Sequence, residues 1–278
     1  FGNGGDYTTP NELRAMYDKM GIEFGVQLPP ITVESGYHHV SNEESYEMVQ
    51  AHPETYAWFC NVDPRWGLNS PDTDFSYWLK RYKALGARGV GEITANVYFD
   101  DARVMSLFRH CEAEKMPVLF HIGNAGMGDY GLIDELHLPR LERVLAEFPR
   151  LQFIGHSQKF WAEISGDCTL ESRGGYPTGK VAPGGRVVEL LRKYSNMTCD
   201  LSAGSGGNAI MRDPEFGYAF LEEFRDRLYF GTDICDPRNE FELTFFLDRA
   251  VENGKISQTA YEKICRSNAL ELLGRSEQ

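Results

Sequence analysis

The run PVLFHIGN (residues 117–124) is an apolar strand pattern that breaks off on a histidine, and three other segments repeat the design. Glu92 closes the apolar part of GVGEIT (89–94), His156 that of LQFIGHSQ (151–158) and Asp233 that of LYFGTDIC (228–235). Successive side chains of a β-strand alternate between faces. Each polar residue should therefore share a face with the residue two positions earlier, which is Val90, Leu119, Ile154 or Gly231. A carboxylate or imidazole buried at the end of an apolar strand has to be hydrogen-bonded, paired or metal-bound. Four such groups at strand ends point to one convergent site, read here as a metal centre.

Outward from these segments, strand-like and helix-like stretches alternate from Glu23 to the C-terminus, the pattern of βα repeats around a parallel sheet. Seven strands are expected, over 23–29, 56–62, 87–94, 117–123, 151–156, 197–201 and 228–232. The helices between them each carry one apolar stripe. Val104, Leu107, Phe108 and Cys111 follow i, i+3, i+4, i+7 spacing, as do Leu141, Val144, Leu145 and Phe148, and Val187, Leu190, Leu191 and Tyr194. Thr9-Pro10-Asn11-Glu12 combines a capping box with proline at the first helical position, and Gly21 follows that helix.

The expected fold is α/β, a (β/α)8 TIM barrel formed by residues 1–278 as a single domain. Seven strands leave it one short, and an open gap exposes two sheet edges. A first strand is thus expected to be missing from this chain, ahead of the helix that starts near Pro10. The one long irregular stretch, Lys159 to Gly185, falls on the face where such barrels place their active sites and is expected to line or cover the pocket. Gly204 to Gly207 lacks the GxxxxGK[ST] pattern of a phosphate loop and reads as a flexible βα connection.

Composition bounds the partners. With 42% hydrophobic residues in 278, the chain can bury a substantial core. The 28 Lys and Arg against 41 Asp and Glu give a formal charge of −13, which argues against nucleic acid or an anionic membrane as main partner. Six cysteines form no CxxC pair and read as small buried hydrophobes, so a reducing cytoplasm is the expected compartment. No apolar run approaches the roughly 20 residues that span a bilayer. The start, FGNGGDYTTP, has no basic region followed by an apolar stretch. The expected partner is a small anionic molecule; a homo-oligomer stays open.

The strings FHIGN (120–124), FIGHSQKFWAEI (153–164) and FGTDI (230–234), in this order, resemble the amidohydrolase superfamily. They look most like its amidohydrolase-related branch, which includes aminocarboxymuconate semialdehyde decarboxylase, other non-oxidative decarboxylases and several lactone hydrolases. The resemblance covers almost the whole chain. It implies a (β/α)8 barrel holding a divalent metal, usually zinc, by a His-x-His pair on the first barrel strand, a His on the fifth and an Asp on the eighth. On that pattern His121 matches the fifth-strand ligand, His156 the sixth-strand histidine and Asp233 the eighth-strand aspartate. No His-x-His occurs in the sequence, and His38-His39 falls in an expected loop. A first strand outside this chain accounts for both absences. Glu92 departs from the one-metal pattern, whereas TatD-like hydrolases have a similar GEI segment whose Glu bridges two metals. One ion is expected, and two stay open.

The candidate metal ligands are thus His121, Asp233, His156 and Glu92. Zinc accepts imidazole nitrogen and carboxylate oxygen and, in catalytic sites, leaves a position for water or substrate. The resemblance further implies Asp233 and His156 as the catalytic pair, Asp233 carrying a proton from water to the leaving group and His156 polarising or protonating a substrate oxygen. Phe160, Trp161, Arg173 and Arg186 are the expected substrate-binding residues, because aromatic rings and bidentate guanidinium groups suit an anionic or aromatic acid. Lys159, Lys180, Arg238, Asn208 and Arg212 are weaker candidates of the same kind. The implied function is a metal-dependent hydrolase of a small carboxylated substrate, such as a lactone or amide. The alternatives are a non-oxidative decarboxylase of an aromatic or unsaturated acid and a catalytically silent ligand-binding barrel.

Overall fold

The computed structural model describes residues 8–35, 40–126 and 128–275. Among the described residues eight strands occur in chain order: β1 Gly25–Gln27, β2 Tyr56–Trp58, β3 Val90–Ile93, β4 Val118–Gly123, β5 Leu132–Ile133, β6 Phe153–His156, β7 Met197–Asp200 and β8 Leu228–Tyr229. All ladders are parallel, as βα repeats require. The order is β1-β2, then β3-β4-β6-β7-β8, with a parallel bridge between Cys60 and Val90 joining the two groups. Seven strands match the expected ones. The eighth, β5, extends the ladder beside β4 and was not foreseen, since two residues give no periodicity to read. Among the described residues no ladder joins β8 to β1, so the curved sheet stays open on that side.

Two apolar layers follow from strand alternation. Val118, Phe120 and Ile122 belong to the large core between sheet and helices, which also takes the helix stripes Val104/Leu107/Phe108/Cys111, Leu141/Val144/Leu145 and Val187/Leu190/Leu191, all fully buried. Leu119 and Ile154 point the other way, into a smaller interior cluster with Ala57, Phe59 and Leu273. His121 and His156, two residues beyond Leu119 and Ile154, continue that interior face, as alternation predicts.

Glu92 breaks the rule. Val90 packs in the outer core, yet Glu92 reaches the interior. The reason is a bulge: Val90 and Ile93 pair with Val118 and Phe120, so three steps on β3 oppose two on β4 and the parity changes between them. The expected shared face of Val90 and Glu92 is therefore corrected, while the inward aim of Glu92 holds.

The first helix, Pro10–Met20, has the expected capping box: the Thr9 hydroxyl accepts from Glu12 N–H and the Glu12 carboxylate accepts from Thr9 N–H. The Gly-rich run after β7 is a correction. It is not a loop but the start of a helix, Ala203–Met211, with Ser205, Gly206 and Gly207 buried. A Cβ on Gly206 would come within 2.3 Å of the Leu201 carbonyl oxygen, so glycine is needed for close approach rather than for flexibility. Gly206→Ala is expected to cost about 1–3 kcal/mol by overpacking, read as a lower denaturant midpoint with unchanged slope.

The irregular stretch 159–185 is also ordered differently from expectation. Gln158–Ala162 is a short helix and Ser172–Gly174 a 3-10 turn, and the stretch packs on the outer core instead of lining the interior cavity. No helix among the described residues is long and apolar enough to cross a membrane. Cys60, Cys111, Cys168 and Cys199 are buried, as expected of cysteines acting as small hydrophobes.

Candidate active site

The interior holds a cavity of about 740 Å³ on the open side of the sheet, lined by Val26 and Leu28 from one edge and by Phe230 and Gly231 from the other. Its polar end is formed by Glu92, His156, Asp200, Ser202, Asp233 and Tyr130. Around it the strand ends bring three sequence-predicted residues together. The His121 Nδ1–H donates to Glu92 Oε1 at 2.5 Å, and His156 Nε2 stands 3.7 Å from the same oxygen. One donor atom from each of Glu92, His121 and His156 lies within 4.8 Å of the others. The register that pairs His121 with His156 across β4 and β6 sets this spacing.

Because a carboxylate only accepts, Glu92 fixes a proton of His121 on Nδ1 and leaves Nε2 outside that hydrogen bond. The Tyr130 ring lies against that imidazole, with centroids 4.2 Å apart. On its far side, His156 presents Nδ1 to Asp200 Oδ2 at 3.2 Å and to Ser202 Oγ at 3.2 Å. Two imidazoles and a carboxylate are the donor types a divalent ion takes, and their ligand atoms converge within 4.8 Å, so the residues fit a divalent metal.

Charge and enclosure act against each other here. Burial opposes ionisation of Glu92, but the charge of His156 and the hydrogen bond from His121 outweigh it and lower its carboxyl. Burial lowers His121 despite Glu92. His156 is also disfavoured as a cation by burial, yet Glu92 and Asp200 push it up to about 10. Enclosure, with Glu92 and Asp200 adding repulsion against the pull of His156, raises Asp233 to about 6. By accessible surface Asp233 is exposed, opening onto the cavity, so solvent there screens the enclosure that raises it.

Asp233 is placed differently from expectation. It lies beyond the short β8, at a positive φ of 59°, and lines the same polar end, but it stands outside the three-residue donor cluster. The expected aromatic contacts do not face the cavity either. Phe160 and Trp161 are buried in the outer core, and the Trp161 indole N–H donates to the Asp200 carbonyl at 3.0 Å. Arg173 is 2% exposed and spent on Glu163 and the Asp134 carbonyl. Arg186 starts a helix and holds the Glu142 carboxylate and the His137 carbonyl. In all four, packing or ion pairing within the scaffold has taken the side chain that sequence assigned to substrate.

Of the weaker candidates, Lys159 pairs with Asp129 at 3.0 Å, Asn208 donates to the Pro177 carbonyl, and Arg238 pairs with Asp236. His38 and His39 lie outside the described residues. Sequence reasoning missed Asp200, Ser202 and Tyr130. Asp200 carried the same signal as the others, a carboxylate at the end of an apolar strand, in MTCD (197–200).

Comparison with known proteins places the chain in a wider group. The chain superposes on an uncharacterized TIM-barrel protein from Bordetella bronchiseptica with a TM-score of 0.64 at 19% identity, covering 96% of this chain and 84% of that one. A zinc-bound amidohydrolase from Burkholderia multivorans gives 0.61 at 13% identity, covering 96% and 88%. A dihydroxybenzoic acid decarboxylase from Polaromonas sp., with manganese and 2-nitroresorcinol bound, gives 0.58 at 17% identity, covering 96% and 86%. At these identities the likeness concerns the fold, a TIM barrel. No curated protein matches the sequence. The Amidohydrolase family model matches residues 32–275, nearly the whole length, and the chain belongs to the amidohydrolase superfamily.

Proposed function

We propose that the protein is a metal-dependent hydrolase acting on a small carboxylated substrate, a lactone or an amide, within one barrel domain of a cytoplasmic enzyme. The observation that carries this reading is the convergence of Glu92, His121 and His156 beside Asp233 at the polar end of one cavity. Two histidines and a glutamate form a set found in hydrolytic zinc sites, which favours zinc, as one ion. When bound there, the ion supplies Lewis-acid polarisation of an oxygen.

The chain's own residues then handle orientation and protons. Glu92 and Asp200 hold the two imidazoles from opposite sides, so neither ring needs to reorient during turnover. Asp233, raised toward neutrality and open to the cavity, is suited to take a proton from water and return it to the leaving group. The Tyr130 ring backs His121 and limits the space for a flat substrate.

Decarboxylation is the second reading, and the fold likeness to a decarboxylase that binds a resorcinol analogue favours it over a silent barrel. There Asp233 and His156 would deliver the proton to the carbon that loses carboxylate. Zinc-loaded protein should be incubated in parallel with 2,6-dihydroxybenzoate and with a carboxylated aryl lactone. The expected result is ring opening of the lactone without released carbon dioxide. Carbon dioxide from the benzoate alone overturns the hydrolase in favour of the lyase, and zinc uptake below one ion per chain overturns both.

A further inference from the structure

Asp200 and Ser202 form a braced pair behind His156. Asp200 Oδ1 accepts from Ser202 N–H at 2.9 Å and Oδ2 from Ser202 Oγ–H at 2.6 Å, while the Trp161 indole holds the Asp200 carbonyl at 3.0 Å. The neighbouring chain leaves room for this carboxylate: a Cβ on Gly231 would lie 2.6 Å from Asp200 Oδ1 and 2.9 Å from Ser202 Cβ. With the serine proton given to Asp200, both the carboxylate and the serine oxygen can only accept from His156 Nδ1, each at 3.2 Å. The other ring nitrogen, Nε2, faces Glu92, whose Oε1 lies 3.7 Å away.

We infer that Asp200, braced by Ser202, is a positioning residue that holds the Nδ1–H of His156 and turns Nε2 to the Glu92 side, so that Nε2 is the nitrogen that gives up its proton and offers a lone pair when a divalent ion binds. This rests on the metal reading above. An acceptor behind a ligating imidazole fixes tautomer and ring orientation and raises ligand basicity. The rival account makes Asp200 only the carboxylate of the turn that starts the helix Ala203–Met211.

Zinc affinity separates the two, measured by competition with a chromophoric chelator on wild type, Asp200→Ala, Asp200→Asn, Ser202→Ala and Thr198→Ala. Thr198 sits on the same strand, bonded to the Phe153 carbonyl, and controls for damage to β7. Asp200→Ala is expected to weaken zinc binding about 10–100-fold and Ser202→Ala about tenfold. Asp200→Asn should retain most of the affinity through its amide oxygen, and Thr198→Ala should stay within about twofold of wild type. Long-range proton–nitrogen NMR of zinc-loaded, nitrogen-15-labelled protein should show His156 protonated on Nδ1 in wild type and as mixed tautomers in Asp200→Ala.

Unchanged affinity and a single tautomer in Asp200→Ala overturn the inference alone, as does an equal loss in Thr198→Ala. Wild-type protein that takes up no zinc overturns the metal reading and the inference with it. If Asp200→Ala does not fold, Ser202→Ala decides by the same two measurements, and wild-type values in it overturn the assignment.

Discussion

Asp233→Asn is expected to lower turnover of the zinc-loaded enzyme by about 10²–10⁴-fold, the range over which a positioned acid or base contributes. The substitution is nearly isosteric and removes only the ability to take and return a proton. Asp233 lines the cavity beside His156 and Glu92 but lies outside their donor cluster, so zinc content should stay at the wild-type level. Metal analysis and steady-state rates on the same preparation check both halves. Loss of zinc along with loss of rate would reassign Asp233 from proton carrier to ligand, and full activity would remove it from the chemistry.

The second large effect is on stability and lies away from the cavity. Glu163 and Arg173 form an ion pair at 2.7 Å with 0% and 2% of their side chains exposed. The guanidinium N–H is not aimed along the contact, so the pair is held chiefly by charge, and Glu163 Oε2 also accepts from the His137 N–H. Arg173→Met should leave an uncompensated buried carboxylate and cost about 3–5 kcal/mol in equilibrium denaturation.

The effect should depend on pH. Burial already raises Glu163 above its ordinary value of 4.5, against the pull of Arg173. A carboxyl raised in the folded state contributes stability that is fully present below its unfolded pKa and is lost as pH rises through the folded one. Removing Arg173 enlarges the rise, so the deficit of the variant is expected to be greater at pH 8 than at pH 5. A deficit that shrinks as pH rises would show that Glu163 is not the group left unpaired.

Much of the scaffold was legible because it depends on periodicity. Alternation along PVLFHIG sorted Leu119 and His121 from Phe120, and the helix stripes matched burial at every position but Tyr194, which caps its helix and is half-buried. Other features escaped for physical reasons. The bulge in β3 changes parity locally, and a single strand's sequence does not state what its partner's register will be. Gly204, Gly206 and Gly207 lower helix propensity, but close packing overrides propensity, as at Gly206, where a Cβ would clash with the Leu201 backbone.

The residues assigned to substrate were chosen by chemistry alone. Arg173 and Trp161 have the right groups, yet ion pairs and packing with Glu163 and the outer core claimed them first. Asp200 could have been found, since its strand ends as the others do, but the His156 N–H it faces is brought to it only once β6 and β7 are paired.

Glu92, His121 and His156 come from three different strands, each followed by its own helix, so the unfolded chain offers the ion no comparable site. Occupancy is therefore linked to the folding equilibrium: an ion that binds only the native state adds about 2.7 kcal/mol when its free concentration is a hundred times its Kd. The melting temperature of this protein should rise with the logarithm of free zinc, and a chelator should act on it as a mild denaturant.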